Sequence, residues 1–147
     1  MATPEEIERF LNAYTNSWKP NPDKTNRIFH EGGGVAYAGL REAIKPDVEM
    51  SMTDLFHIAA PDTEVRLLNW AERNDVLFAE WELTCTLDGR PLKIHGVNRF
   101  HLKGDRALDS IGIVDRLSIV EFFEPSVGAF DIRERLRAAL KSDQENS

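Results

Sequence analysis

VLFAEWELTCTLDGRPLKIHGVNRFHLKGDRALDSIGIVD, residues 76–115, decides the fold. Apolar and polar residues alternate along it, and Asp-Gly at 88–89 and Gly-Asp at 104–105 interrupt the alternation. Alternation marks a strand with one buried face, and Asp-Gly or Gly-Asp between two such runs signals a hairpin. The stretch therefore predicts three antiparallel strands. A fourth run of the same texture, TEVRLLNWAE, precedes it across the turn RND at 73–75.

Successive side chains of a strand point to opposite faces. In VLFAEWELTC, Ala79, Trp81, Leu83 and Cys85 share one face, and Phe78, Glu80, Glu82 and Thr84 share the other. In LKIHGVNRFHL, Ile94, Gly96, Asn98, Phe100 and Leu102 oppose His95, Val97, Arg99 and His101. Glu80 and Glu82 can meet Arg99 and the histidines in an opposite-charge ladder on a solvated outer face. The apolar faces then form the inner side. Counting straight on into SIGIVD, the inward set is Ile111, Ile113 and Asp115. Asp115 and Asn98 are then the polar groups on a face built from Trp81, Phe100, Ile111 and Ile113.

Upstream lie helices. In TPEEIERFLNAYTNSW, Thr3 suits an N-cap, Pro4 the first helical position, and Glu6 closes a capping box. Ile7, Phe10, Leu11, Tyr14 and Trp18 follow at helical spacing, and KPNPD ends the helix. DKTNRIFH reads as a short second helix and VAYA as a short strand. LREAIKPDVEMSMTDLF reads as helical in two pieces divided at Pro46. Near the end, FDIRERLRAAL reads as a helix with Asp131 as N-cap and Glu134 as its box partner.

The 147 residues suit one domain, expected over 1–142 with a frayed polar tail at 143–147. A net charge of −7 argues against nucleic acid or an anionic membrane as partner. The start is acidic and lacks a secretory pattern, and no apolar run approaches membrane-spanning length. The single cysteine, Cys85, excludes an internal disulfide and fits a cytoplasmic setting. His30, His57, His95 and His101 show no metal-ligand spacing, so no metal is expected. EGGGVAYAG is followed by no Lys-Ser/Thr and is not a phosphate loop.

The order of these segments resembles the nuclear transport factor 2-like superfamily, in its SnoaL-like, polyketide cyclase-like branch. The resemblance is carried by TPEEIERFLNAYTNSW, AAPDTEV, the Asp-Gly hairpin and VNRFHLKGDRALDSIGIVDRLSIV. It implies an α+β fold in which a curved antiparallel sheet wraps around N-terminal helices to form a cone-shaped pocket. It also implies a homodimer and a small hydrophobic ligand. SnoaL-like cyclases use an aspartate at the end of the last strand as acid and base, and Asp115 is the matching position. Their assisting histidine has no match, since Asn98 is the polar inward residue on the preceding strand. Ketosteroid isomerases fit less well: Tyr14 matches their helix-one tyrosine, but GGGVAYAG holds no carboxylate base. Limonene-type epoxide hydrolases need an Asp-Arg-Asp set, and Ala79, Trp81 and Leu83 stand where part of it belongs.

The resemblance implies a cofactor-free lyase or isomerase of the cyclase type, moving protons on a small hydrophobic carbonyl compound. Asp115 would be its catalytic acid and base, since an apolar pocket raises a carboxyl pKa toward neutrality. Tyr14 and Asn98 can donate hydrogen bonds to an oxyanion, and Trp18, Phe56, Trp81, Phe100, Ile111 and Ile113 would line the pocket. Two alternatives stay open. Asp115 directly precedes RLSIVEFF and can instead cap a helix. The same pocket can also belong to a non-catalytic small-molecule-binding protein.

Overall fold

The computed structural model describes residues 1–20, 28–37, 52–126, 133–134 and 136–138. Helix α1 spans Pro4–Ser17. The Thr3 side chain accepts the Glu6 amide while the Glu6 carboxylate accepts the Thr3 amide, so the capping box is complete. Of the apolar stripe, Ile7, Phe10, Leu11 and Tyr14 are buried. Strand β1 is Val35–Tyr37, and helix α2 is Met52–Ala59. Strands β2 (Glu64–Arg73), β3 (Val76–Leu87), β4 (Arg90–Lys103) and β5 (Arg106–Val114) follow, then helix α3 (Arg116–Phe123). The expected helix at DKTNRIFH lies largely outside the described residues, and its last part is not helical: Phe29 makes a parallel bridge to Ala107. The break at Pro46 and the cap at Asp131 also lie outside the described residues, although residues 133–134 and 136–138 are helical.

Three of the turns are built from residues that tolerate left-handed backbone. Asn74 and Asp75 have φ of 54° and 65°, and Asp88 and Gly89 have 51° and 70°. Two successive positive-φ residues match the right-handed twist of the flanking strands, so each turn closes a tight hairpin. Gly104, at φ 65°, opens the third. The strand order is β1-β5-β4-β3-β2. The meander is antiparallel as expected, but β1 joins its far edge parallel to β5, so the sheet is mixed. It is open, with β1 and β2 at its edges, and the architecture is α+β.

The core lies between α1 and the inner face of the sheet. Phe10, Leu77 and Phe100 are fully buried, as are Leu83 and Ile94 on neighbouring strands. The Phe10 and Tyr14 rings meet Phe100 edge-on, with centroids 4.9 and 5.0 Å away. Each buried ring contributes roughly 1.5–3 kcal/mol relative to exposure. The chain forms two compact units, Met1–Asp115 and Arg116–Ser147. All of the sheet belongs to the first.

Candidate functional site on the inner face of the sheet

Trp81 is the centre of this face. Its indole lies flat across Gly96, its partner on β4. A Cβ at residue 96 would stand 2.2 Å from the benzo ring of Trp81, a distance no real contact allows. Glycine is therefore required at 96 by a close approach, not by a turn. Trp81 also meets Trp18, at the C-cap of α1, with ring centroids 5.6 Å apart. Trp81 is 4% exposed while Trp18 is half-buried, so the aromatic layer reaches the surface at Trp18. His57 on α2 shares a hydrogen bond of 2.6 Å with the Trp18 carbonyl and ties α2 to the end of α1. Phe56, beside it, is half-buried.

A hydrogen-bonded chain runs beneath these rings. Trp81 Nε1–H donates to Asn98 Oδ1 at 2.7 Å, and Asn98 Nδ2 donates to Ser110 Oγ at 3.0 Å. The direction of this chain is dictated by its first member. An indole nitrogen can only donate, so the amide oxygen of Asn98 must face Trp81 and its NH2 must face Ser110. Ser110 then accepts, and among the described residues its own hydroxyl hydrogen has no acceptor. Asn98 is 6% exposed and Ser110 1%, so this donor sits in a dry environment where an acceptor is worth most.

Ser110 was not among the expected residues, and the reason is a one-residue insertion. In the third hairpin Lys103 pairs with Arg106 and Leu102 with Ala107, but His101 then pairs with Asp109. Leu108 is the extra residue, half-exposed, in a β-bulge. A one-residue slip turns every later side chain to the other face. Asn98 thus pairs with Gly112 and Phe100 with Ser110, and the inward set is Ser110, Gly112 and Val114. Ile111 and Ile113 belong to the outer face, where Ile113 is 56% exposed. The expectation that these two isoleucines stand with Asn98 and Trp81 is corrected accordingly. The glycines at 32–34 serve the same edge. A Cβ on Gly33 would be 2.8 Å from the Leu108 carbonyl, so residue 33 must be bare for the chain to lie against the bulge.

Asp115 follows the parity of Ile113. Its amide donates to the His95 carbonyl, its side chain is exposed, and α3 begins at the next residue. It lines an open depression of about 310 Å³ on the outer face with Glu80, His95, Val97 and Ile113. The structure thus gathers Tyr14, Trp18, Trp81, Asn98 and Phe100 on the inner side and places Asp115, Ile111 and Ile113 on the outer.

The charge ladder of the outer face is organised around one residue. Glu82 is buried at 7% exposure and receives Arg66 at 2.9 Å, His95 at 2.9 Å and Lys93 at 3.3 Å. His101 pairs instead with Asp109, at 3.0 Å. The hydrogen bond from Arg66 comes first among the causes that hold the Glu82 carboxyl below its ordinary range, with Lys93 adding to it against the opposing effect of burial. A carboxylate favoured in the folded state stabilises the fold above its unfolded pKa, and that contribution is lost as pH falls through the depressed folded value. Glu82→Gln should therefore lower Tm at neutral pH, and the difference from wild type should shrink below the ordinary value of 4.5. Thermal melts across that window test this, and a pH-independent difference would assign the effect to packing. Cys85 is buried, and its desolvation pushes the thiol pKa up, which suits a core residue rather than a nucleophile. Among the described residues no group of three His, Cys, Asp or Glu side chains converges to hold a metal ion, and no helix is long and apolar enough to cross a membrane.

No family model and no curated protein matches the chain. Solved structures do. A candidate polyketide cyclase from Acidithiobacillus ferrooxidans superposes with a TM-score of 0.67 at 16% identity, over 85% of this chain and 99% of that one. A candidate SnoaL-like polyketide cyclase from Jannaschia sp. CCS1 gives 0.67 at 15% identity, over 82% and 94%. AclR from Streptomyces galilaeus, a candidate hydroxylase, gives 0.70 at 9% identity, over 98% and 97%. The chain shares the α+β fold of these structures. At these identities the likeness is one of fold, and two different activities already stand among the three neighbours.

Proposed function

We propose that the protein binds a small, flat, hydrophobic molecule bearing a carbonyl or other acceptor oxygen, on the inner face of the sheet. The observation that carries this reading is the directional chain Trp81→Asn98→Ser110, which starts at the aromatic layer and ends in a hydroxyl with no acceptor among the described residues. The rings supply flat apolar contact, and the Ser110 hydroxyl supplies one oriented hydrogen bond, the usual division of labour in a ligand site. The names of the structural neighbours suggest an aromatic polyketide-like ligand. Proton-transfer chemistry by Asp115 is not carried into the proposal, because the bulge at Leu108 turns that carboxylate to the outer face.

Quenching of tryptophan fluorescence by a panel of polycyclic aromatic ketones tests this reading. Saturable quenching is expected. Ser110→Ala should weaken it by roughly five- to tenfold, the worth of one net hydrogen bond, and Asp115→Asn should leave it unchanged. The ligand's own absorbance, followed in the same titration, should not evolve with time. Absence of saturable quenching would end the proposal. Turnover abolished by Asp115→Asn, with Ser110→Ala unaffected, would return the function to the cyclase type of chemistry.

A further inference from the structure

We infer that Trp18 is a gate over the inner-face site, held shut by a clasp between His57 on α2 and the Trp18 carbonyl at the end of α1. The inference rests on the binding reading above and adds how a ligand gains entry. As it stands the site is closed: Trp81 is 4% exposed, Asn98 6% and Ser110 1%. No ligand oxygen can reach the Ser110 hydroxyl, and no ligand ring the Trp81 indole, until something moves aside. The two indoles show what moves. Their centroids are 5.6 Å apart and their planes are tilted by 40°. A third ring stacked between them would hold them about 7 Å apart, twice the closest carbon–carbon contact. Trp18 therefore covers a surface of Trp81 that a flat ligand would take. Trp18 is half-buried where Trp81 is buried, so it is the member of the pair with solvent to move into.

The local structure makes this end of α1 separable. Trp18 is the C-cap residue, and the last carbonyls of a helix have no partner within it. The amides of Trp18 and Lys19 both turn back to the Asn16 carbonyl. The Trp18 carbonyl is taken by His57 Nε2 at 2.6 Å. A carbonyl can only accept, so Nε2 carries the hydrogen. Helix α2 is fastened where it meets β2: Thr63 is buried, and its Oγ1 donates to the Ala60 carbonyl at 2.7 Å. Its other side shows Leu55 at 47% and Ile58 at 67% exposure. Little apolar contact is lost there when α2 moves, and an entering hydrophobic ligand meets an apolar rim. Breaking the clasp and parting the two rings opens the aromatic layer where it already reaches the surface. If the open form alone binds, the apparent Kd is the intrinsic Kd divided by the open fraction. A weaker clasp then means tighter binding.

Fluorenone, a flat polycyclic ketone, tests the gate in the full chain. It is titrated into wild type, His57→Ala and His57→Gln, and binding is followed by tryptophan quenching. Circular dichroism of the same proteins without ligand reads the exciton couplet of the two neighbouring indoles, and Trp18→Phe identifies that couplet by removing it. His57→Ala is expected to bind fluorenone roughly three- to tenfold more tightly than wild type, the effect of taking one net hydrogen bond from the closed form. Its couplet should be weaker. His57→Gln, whose amide can donate to the same carbonyl, should stay within about twofold of wild type. Tighter binding is a gain that misfolding cannot produce. An affinity of His57→Ala no higher than that of wild type would overturn the gate and leave the binding reading standing. So would an unchanged couplet, or a His57→Gln that behaves like His57→Ala. No saturable quenching in any of the three proteins would overturn the binding reading, and the gate with it.

Discussion

Gly96→Ala is expected to destabilise the protein by about 3 kcal/mol or more, an overpacking cost at the upper end of those seen in cores. Backbone preference argues the other way, since glycine inside a strand weakens it and alanine would ordinarily help by a fraction of a kcal/mol. The contact decides the sign. An added methyl would stand 2.2 Å from one atom of the Trp81 ring and within 2.7 Å of two more. The ring is rigid, buried and packed against Trp18, so it has no cheap way to yield. Urea denaturation of four proteins tests the cause as well as the size: wild type, Gly96→Ala, Trp81→Phe and the double variant. A phenylalanine ring is too short to reach the site of the clash, so in the Trp81→Phe background the alanine should cost less than about 1 kcal/mol. An equal cost in both backgrounds would mean that the Trp81 contact is not the reason for glycine at 96.

Asn98→Leu is expected to cost about 2–5 kcal/mol, although leucine has similar volume and the site is buried. The loss comes from what the amide leaves behind. Trp81 Nε1–H loses its acceptor and Ser110 Oγ loses its donor, both in surroundings closed to water. Each stranded group costs about 1–3 kcal/mol. Coupling is the specific signature. With Trp81→Phe already present there is no indole N–H to strand, so Asn98→Leu should then be cheaper by about 1 kcal/mol or more. Additive effects of the two changes would deny the chain its role. The same variant should abolish ligand-induced quenching, because Ser110 would lose the partner that sets its direction.

Much of this fold is legible in the residues themselves. Thr3, Pro4 and Glu6 announce the start of α1, and their capping box is complete. Asp-Gly at 88–89 announces a hairpin, and both residues adopt the positive φ that such a turn needs. Alternation in β3 and β4 sorts Trp81, Asn98 and Phe100 to the inner side without error. These are local signals: a cap, a turn and a period of two are each written within a few residues.

The candidate site was legible only in part, for a reason that can be named. Alternation carried from β4 through a two-residue turn places Ile111, Ile113 and Asp115 inward. That is the register the third hairpin would have without Leu108 as an extra residue. Isoleucines strengthen the mistake, because they read as core. Ser110 and Gly112 lie inside instead, opposite Phe100 and Asn98 on β4. Where Asp115 sits therefore depends on a single insertion seven positions earlier, and no pattern around Asp115 itself records it.

The sequence alone thus determined an α+β chain, a capped first helix, four antiparallel strands and the inner faces of β3 and β4. Tertiary structure decided the rest. The parallel addition of β1 and the approach of Gly33 to Leu108 come from segments distant in the chain, as does the gathering of Arg66, Lys93 and His95 around Glu82. Strand identity is set by neighbours in sequence, but register is set by whichever pairing satisfies the backbone on both edges of β5 at once. That edge pairs with Ile28, His30 and Gly34 on one side and with β4 on the other, and the face shown by Asp115 follows from it.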